Sequence, residues 1–185
     1  MREALVMDGE AIRRALSRMA RGMVTHFRGV QDLALVGIRT RGEFLARRFA
    51  RVLEPRQKVQ IPVGALDITV YRDDFDTLQE DIKVHGSHID FDIQGRHIIL
   101  VDDVLYTGRS VRAAMDAVMD LGRPSSITLA VLIDRGHREL PIQADFVGRK
   151  VATARREQVH VQLQEVDGID RVILARPAGS GRTGA

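Results

Sequence analysis

The most constraining feature of this sequence is a ten-residue run, Val101-Asp102-Asp103-Val104-Leu105-Tyr106-Thr107-Gly108-Arg109-Ser110. It continues the apolar segment His97 to Val101, which has the length and composition of a buried parallel strand. A helix is predicted immediately after it, from Arg109 to Leu121. In an open parallel sheet, ligands bind beyond the carboxyl ends of the strands. The run is therefore predicted to lie where an α/β protein binds its ligand.

Strand-like and helix-like segments alternate along the rest of the chain. Apolar residues at helical spacing predict a first helix that is capped by Asp8 and ends near Gly29. A second helix is predicted over 43–54. Extended segments are predicted at 33–38, 59–71, 127–133 and 145–151, and a hairpin is predicted to pair 159–166 with 171–175 around a turn at 167–170. Pro62 and Gly64 are expected to mark the edge of the second of these segments, 59–71. The alternation predicts an α/β fold with a doubly wound, mainly parallel central sheet flanked by helices.

Length and composition restrict the class of protein. With 185 residues, 44% of them hydrophobic and 29% charged, the chain has the size of one domain, expected over 1–176 and followed by a disordered tail over 177–185. The absence of cysteine excludes disulfides, thiolate nucleophiles and cysteine zinc sites. No apolar run approaches the roughly 20 residues needed to span a bilayer, and the first residues lack the features of a signal peptide. We therefore expect a cytoplasmic protein that binds no membrane.

Arginine accounts for 25 of the 28 basic residues, although the net charge is only +3. Phosphate recognition and GC-rich codon usage both produce this bias, so the positions of the arginines are more informative than their number. Arg14, Arg18 and Arg21 are spaced by four and three residues, and they form one stripe opposite the apolar face of the first helix, with Ser17 nearby. A solvated cationic face is the more common explanation of such a stripe, and with aromatic residues at 4% there is little surface for stacking bases.

The residue types of the ten-residue run suit a phosphorylated sugar. Residues Thr107 to Ser110 would surround the N-terminus of a helix and offer backbone N–H groups and hydroxyls to a phosphate. The adjacent carboxylates of Asp102 and Asp103 need partners, which ribose hydroxyls or a hydrated magnesium ion would supply. No GxxxxGK(S/T) motif occurs, so a nucleoside triphosphate site of the P-loop type is not indicated. The Thr-Gly fragment alone is equally compatible with an ordinary helix cap.

Taken as a whole, the run resembles the signature with which type I phosphoribosyltransferases bind 5-phosphoribosyl 1-pyrophosphate (PRPP). Three further segments, Val36 to Gly42, Leu66 to Asp74 and Asp134 to Pro141, are similar to the PyrR family, and the resemblance extends over nearly the whole chain. That family comprises pyrimidine-operon attenuation proteins that bind messenger RNA and also have uracil phosphoribosyltransferase activity. The resemblance implies a type I phosphoribosyltransferase-like fold in which a small hood and a C-terminal β-hairpin accompany the central sheet.

The resemblance also implies a reaction, uracil and PRPP giving UMP and pyrophosphate, with Mg²⁺ as cofactor. The implied catalytic residues are Asp102, Asp103 and Arg72, and the two acids would also serve the metal through substrate or water. Pyrophosphate would be held by Arg39, Thr40, Arg41 and Gly42. Asp134 and Arg135 would belong to the hood over uracil. A purine or orotate transferase would share the sugar site, but the segment after Asp134 argues against it.

The polar stretch over 72–95, which begins with Arg72, exceeds the usual length of a loop. We expect it to be a mobile loop or a short hairpin, and it is a candidate for a lid that excludes water from PRPP.

An RNA surface is the second implication of the resemblance, with the pyrimidine-operon leader messenger RNA as partner and UMP or UTP as regulator. Its residues would be Arg14, Ser17, Arg18, Arg21, His137, Arg138 and Arg149, on a homodimer or a higher homo-oligomer. The chain departs from the family at 148–154, because Ala152 and Ala154 stand where the family typically has proline and serine. An RNA-binding regulator whose transferase pocket serves mainly as a nucleotide sensor remains an alternative.

Overall fold

The computed structural model describes residues 2–68 and 87–177. Its elements in chain order are β1 (Arg2–Asp8), α1 (Gly9–Phe27), β2 (Leu33–Ile38), α2 (Arg41–Gln57), β3 (Val63–Leu66), β4 (His97–Leu105), α3 (Arg109–Leu121), β5 (Ser126–Asp134), β6 (Phe146–Lys150), β7 (Gln158–Gln162), α4 (Gln164–Asp167) and β8 (Arg171–Arg176). No helix within these two ranges is long and apolar enough to cross a membrane.

The central sheet has five parallel strands in the order β3-β2-β4-β5-β6. Alternate residues of its strands pack into two hydrophobic clusters, one shared with α1 and α2 and the other with α3. Because both faces of the sheet are covered, residues 98–101 of β4 are completely buried, as expected for a continuous apolar run. The predicted doubly wound α/β architecture is confirmed, and β3 and β6 are the edge strands of this sheet.

The first helix begins and ends where the sequence predicts. The carboxylate of Asp8 accepts a hydrogen bond from the backbone N–H of Ala11 at 2.7 Å, which satisfies one of the free donors of the first turn. Arg28 ends the helix in the left-handed conformation. The buried face consists of apolar residues at helical spacing and packs onto the central sheet.

The second sheet differs from the expectation in two ways. It is antiparallel in the order β1-β8-β7, and its edge strand β1, at the N-terminus, is not predicted from the sequence. The predicted hairpin exists as the β7-β8 pair, but β7 ends at Gln162 and the helix α4 occupies part of the connection. The assignment of 163–166 to a strand was wrong, since the hydrogen bonds there close a helical turn from Leu163 to Asp167.

Four other predicted segments differ in length from the structure or lie partly outside the described residues. The helix predicted over 43–54 extends from Arg41 to Gln57. Of the segment predicted over 59–71, residues 59–68 are described, and within them the strand is 63–66. Of the predicted tail, only Pro177 lies within the described residues. The candidate lid is described only from Ser87 onwards.

Candidate functional site

The carboxyl ends of β2 and β4 and the N-terminus of α2 meet at one edge of the central sheet. Gly37 and Val101 are register partners on the two neighbouring strands. A Cβ atom at Gly42 would lie 2.3 Å from the carbonyl oxygen of Val101, so only glycine allows α2 to begin this close to β4. The loop 39–42 and the carboxylates after Val101 are thereby brought side by side.

Asp102, which is buried, and Asp103, which is half-buried, form a carboxylate pair near the end of β4. Asp102 is 9% exposed, and its Oδ1 accepts the backbone N–H of Asp103 at 2.8 Å. The Oδ1 atom of Asp103 accepts the N–H of Val104 at 2.8 Å. Burial, together with the charge of Asp103, raises the pKa of Asp102 well above its usual value. The pKa of Asp103 is also raised by burial, against the opposing effects of a hydrogen bond with Asp102 and the charge of Arg41.

The donors available here fit a magnesium ion that is held indirectly. Within 2–68 and 87–177, no group of three or more His, Asp or Glu residues is arranged to hold a metal by itself. Two adjacent carboxylates whose ionised form is disfavoured by burial gain from a hydrated cation or from ribose hydroxyls. The pair therefore suits a metal whose remaining ligands are water and substrate oxygens.

The turn after β4 leads directly into α3. Gly108 precedes the helix with a φ of 94°, a conformation that favours glycine, and its Cβ position would lie 3.3 Å from Cβ of Ile142. The backbone N–H of Arg109 donates to Oγ1 of Thr107 at 3.4 Å, and the side chain of Arg109 pairs with Glu139 at 2.9 Å. A helix N-terminus reached through glycine can bind a phosphate through its N–H groups.

The loop between β2 and α2 presents two arginines that are each held by an acid. Nε of Arg39 lies 3.1 Å from Glu43, and the guanidinium of Arg41 donates to Asp167 at 2.9 and 3.3 Å. Thr40 is exposed, and the peptide bond before it is cis. Asp167 lies on α4, 126 residues along the chain from Arg41, and no local spacing in the sequence indicated this contact.

The two residues predicted for the hood, Asp134 at the end of β5 and the following Arg135, lie against the turn after β4. Arg135 is 7% exposed, and its guanidinium carbon lies 4.1 Å from the centroid of the Tyr106 ring. Asp134 is paired with Arg138 at 2.6 Å. An open cleft of about 480 Å³ is formed here, and Ala152 is among its lining residues, Asp134, Arg135, Gly136, Arg138, Lys150, Val151 and Ala152.

The residues assigned to RNA divide into two groups. Arg14, Arg18 and Arg21 are exposed on α1, and Arg18 donates to the carbonyls of Val147 and Gly148, which places it beside β6 and the exposed Arg149. Arg149 in turn donates to the carbonyl of Val6.

The second group consists of His137 and Arg138, whose side chains form hydrogen bonds with other residues of the chain. A ring nitrogen of His137 lies 2.6 Å from the carbonyl oxygen of Thr153, and Arg138 is bound to Asp134. Ser17 is half-buried near the first group. The assigned catalytic residue Arg72, with its neighbours 71–74, lies outside the described residues.

Comparison with known proteins identifies the family. Residues 6–165 match the phosphoribosyl transferase domain. The chain is 50% identical over 171 residues to "Bifunctional protein pyrR" of Enterococcus faecalis, covering 92% of this chain and 96% of the relative. The chain belongs to the PyrR family. A "Bifunctional protein PyrR" of Roseiflexus sp. is 55% identical over 177 residues, covering 95% of this chain and 97% of the relative. The resemblance recognised in the sequence motifs is confirmed.

Solved structures agree with this fold at low sequence identity. Hypoxanthine phosphoribosyltransferase from Trypanosoma cruzi superimposes with a TM-score of 0.72 at 19% identity, covering 94% of this chain and 95% of the other. A hypoxanthine phosphoribosyltransferase from Staphylococcus aureus gives a TM-score of 0.70 at 15% identity, covering 95% and 93%. The type I phosphoribosyltransferase fold of this PyrR family member is therefore shared with enzymes of distant sequence.

Proposed function

We propose that the protein is a uracil phosphoribosyltransferase that converts uracil and PRPP into UMP and pyrophosphate, and that it regulates pyrimidine biosynthesis genes by uridine-nucleotide-dependent binding to leader messenger RNA. Its relatives in the family are named bifunctional. The observation that carries the transferase part is the carboxylate pair of the buried Asp102 and the half-buried Asp103, which lies between the 39–42 loop and the N-terminus of α3.

Each part of this edge has a separate task in the reaction. The N–H groups at the start of α3 bind the 5′-phosphate, and the carboxylates of Asp102 and Asp103 bind the ribose hydroxyls. Asp102 and Asp103 would hold Mg²⁺ through water or substrate, and the ion would supply positive charge to the pyrophosphate. As the bond from ribose C1 to pyrophosphate breaks and the bond to N1 of uracil forms, the N1 proton is lost and negative charge develops on the leaving group. Arg39, Arg41 and Arg72 oppose that charge, so catalysis consists of positioning and electrostatic stabilisation.

The geometry of the 39–42 loop supports this assignment. Glu43 and Asp167 hold the two guanidinium groups in place before any ligand arrives, which reduces the reorganisation needed in the transition state. Partial burial alone would raise the pKa of Glu43, but hydrogen bonds from Arg47 and Arg39 lower it below its usual value. The acid therefore stays ionised near neutral pH and keeps Arg39 oriented.

The proposed RNA surface comprises Arg14, Ser17, Arg18 and Arg21 of α1 together with Arg149 of β6. The hydrogen bonds from Arg18 to Val147 and Gly148 support it, because they join the helix stripe to the neighbouring strand. Arginine side chains on such a surface bind RNA phosphates, and this binding weakens as the salt concentration rises. We propose that two or more copies of the chain assemble to form the complete surface, and that the protein acts in the cytoplasm, where a bacterial leader RNA is transcribed.

The transferase proposal is tested by measuring UMP formation from uracil and PRPP with and without Mg²⁺. We expect UMP only with the metal, and little product when hypoxanthine, guanine or orotate replaces uracil. A clean preparation that forms no UMP would refute the uracil activity, and preferential use of another base would assign a different substrate to the same sugar site.

Two substitutions separate the proposed functions. Asp103→Asn removes a charged acceptor for the ribose, so we expect kcat/KM for PRPP to fall by roughly 10- to 100-fold, with RNA affinity within about twofold of wild type. Arg18→Gln should weaken leader RNA binding and reduce its log–log salt slope by about one, without slowing UMP formation. Equal losses of both activities in either variant would contradict the division.

A further inference from the structure

The turn that follows β4 is held along its length by the segment 134–142. The backbone N–H of Arg135 donates to the carbonyl of Leu105 at 3.1 Å, and the N–H groups of Glu139 and Leu140 donate to the carbonyl of Thr107 at 2.9 and 3.2 Å. These bonds fix the two ends of the turn. The carbonyl of Tyr106, between them, is bound by the side chain of Arg138.

Arg138 is occupied within the chain at all three guanidinium nitrogens. Nη1 donates to the carbonyls of Tyr106 at 2.8 Å, Gly136 at 3.2 Å and Leu105 at 3.4 Å. Nε donates to the carbonyl of Ile142 at 3.0 Å, and Nη2 lies 2.6 Å from the carboxylate of Asp134. The side chain is only 22% exposed. Such a residue is poorly placed to exchange its partners for an RNA phosphate.

The hydrogen bonds from Arg138 to the carbonyls of the turn affect the direction in which the N–H groups of the turn point. In a planar trans peptide, the carbonyl of one residue and the N–H of the next point in opposite directions. When Arg138 attracts the carbonyls of Leu105 and Tyr106, it turns the N–H groups of Tyr106 and Thr107 to the other side. It also keeps two partial negative charges away from an incoming phosphate.

We propose that Arg138 is a positioning residue that orients the phosphoribosyl-binding turn 105–108, and that it acts in nucleotide binding rather than as a contact for RNA. This inference rests on the proposed function, because it assumes that the turn binds the ribose phosphate of PRPP and UMP. The prediction from the sequence that Arg138 contacts RNA is the alternative that the test below distinguishes from this proposal.

The position of Asp134 agrees with this role. Partial burial would raise the pKa of Asp134, but hydrogen bonds from Arg138 and from the N–H of Gly136 lower it below its usual value. The carboxylate therefore remains charged across the neutral range and anchors the guanidinium. Asp134 thus orients Arg138, and Arg138 orients the turn.

The same segment joins the turn to the residues that follow β6. Arg135 stacks on Tyr106 and donates to Oγ1 of Thr153 at 3.3 Å and to the carbonyl of Ala154 at 3.1 Å. His137 is also bound to Thr153. The turn, the segment 134–142 and residues 153–154 therefore form one hydrogen-bonded unit, through which a nucleotide in the pocket can affect the residues next to Arg149.

The test compares wild type with Arg138→Gln, Arg138→Lys and the control Arg123→Gln, which removes an exposed arginine preceding β5 at the opposite end of the sheet. UMP affinity is measured by calorimetry, and KM for PRPP and kcat are measured in the transferase assay. For Arg138→Gln we expect UMP affinity to fall and KM for PRPP to rise by roughly tenfold or more, with kcat changed less than threefold. Arg138→Lys should recover part of the affinity, because an ammonium keeps the charge but cannot reach all the acceptors.

Leader RNA affinity without nucleotide and the thermal unfolding midpoint complete the experiment. We expect nucleotide-free RNA affinity within about twofold of wild type for Arg138→Gln, together with loss of the tightening that UMP causes. If UMP affinity and KM are unchanged while RNA affinity falls, the proposal is overturned and Arg138 is an RNA contact. If Arg138→Gln unfolds, Arg138→Lys must still show the raised KM, or the proposal fails. Absence of UMP binding by the wild type would instead refute the proposed function.

Discussion

The carboxylate pair at the end of β4 is unfavourable for the protein without ligand. Asp102 is 9% exposed, and each carboxylate receives a backbone hydrogen bond from the next residue, but burial still raises both pKa values. A buried charge without a counter-charge opposes folding. The proposed function accounts for the pair, because its ligand would supply hydroxyls or a cation, and the cost of the pair to the ligand-free protein should be measurable as stability.

We expect Asp102→Asn to stabilise the ligand-free protein at pH 8 while it impairs transfer. The pKa of Asp102 is higher in the folded state than in the unfolded state, so the folded wild type binds more protons and loses stability as the pH rises from about 4 towards the raised pKa. Asparagine does not titrate and keeps an oxygen that can accept the N–H of Asp103.

The measurement is the free energy of unfolding in urea at pH 4.5 and pH 8, with wild type as reference. The advantage of the variant should be small at pH 4.5 and should grow by about 1.4 kcal/mol for each unit by which the pKa is raised. Asp90→Asn, at an exposed acid, serves as the control and should show no such growth. A variant that is less stable than wild type at pH 8 would show that the carboxylate stabilises the fold.

Individual residues differ in how far the sequence revealed them. Asp102 and Asp103 were recognisable because both lie in one short run after an apolar strand, and the structure buries them there. The contact between Arg41 and Asp167 was not, because it joins the start of α2 to α4 across the fold. Residue type and local spacing predict what a side chain can bind, whereas its partner within the chain depends on tertiary packing.

At the scale of elements, the start of α2 decides the shape of the candidate site. Gly42 is buried against β4, and a Cβ atom there would meet the carbonyl oxygen of Val101 at 2.3 Å. Because that oxygen is backbone in the middle of the sheet, the helix would have to move. The 39–42 loop would move with it, away from the two carboxylates.

We therefore expect Gly42→Ala to lower the free energy of unfolding by about 1–3 kcal/mol and to raise KM for PRPP. Urea denaturation and transferase kinetics provide the two measurements. The control is Gly95→Ala, where the φ of 72° makes alanine unfavourable but no atom lies within 4 Å of the new Cβ. Gly95→Ala should lose stability without a change in KM. If Gly42→Ala leaves KM unchanged, the closeness of α2 to β4 is not needed for substrate binding.

The elements that the sequence predicted well are those with a strong hydrophobic period. The helix capped by Asp8 and the buried strand β5 agree closely with the structure, because packing against the core dictates their patterns. Strand β4 begins at His97 as predicted but continues four residues beyond the apolar run, to Leu105. Strand β1 was not predicted, because most of its residues are exposed and it is held by pairing with β8. The short helix α4 was missed because four residues, none of them buried, carry no helical period.

For the whole molecule, the two proposed activities meet at the segment 134–142. One side of it binds the turn that follows β4, and the other side contacts Thr153 and Ala154, close to the strand that carries Arg149. The sequence indicated both sites but not this connection, since the contacts span 16 to 33 residues and are made largely to backbone carbonyls. Because every residue has a backbone carbonyl, residue type does not indicate which carbonyl a side chain will bind.

This arrangement predicts positive coupling between UMP and leader RNA. Both ligands are anions, so direct electrostatic interaction between them would oppose joint binding, most strongly at low salt. Coupling through the segment 134–142 depends instead on internal hydrogen bonds, which salt screens little. We expect UMP to tighten RNA binding by roughly 5- to 150-fold, the usual range for allosteric coupling.

The measurement is RNA affinity with and without saturating UMP, at 50 and 200 mM salt. Each affinity should fall steeply with salt because phosphate contacts release counterions, whereas the ratio of the two should change little. By linkage, RNA must tighten UMP binding by the same factor, and calorimetry provides that check. A ratio of one at both salt concentrations would show that the segment connects the two sites structurally without coupling their affinities. A ratio that rises with salt would show that charge repulsion between UMP and RNA dominates the coupling.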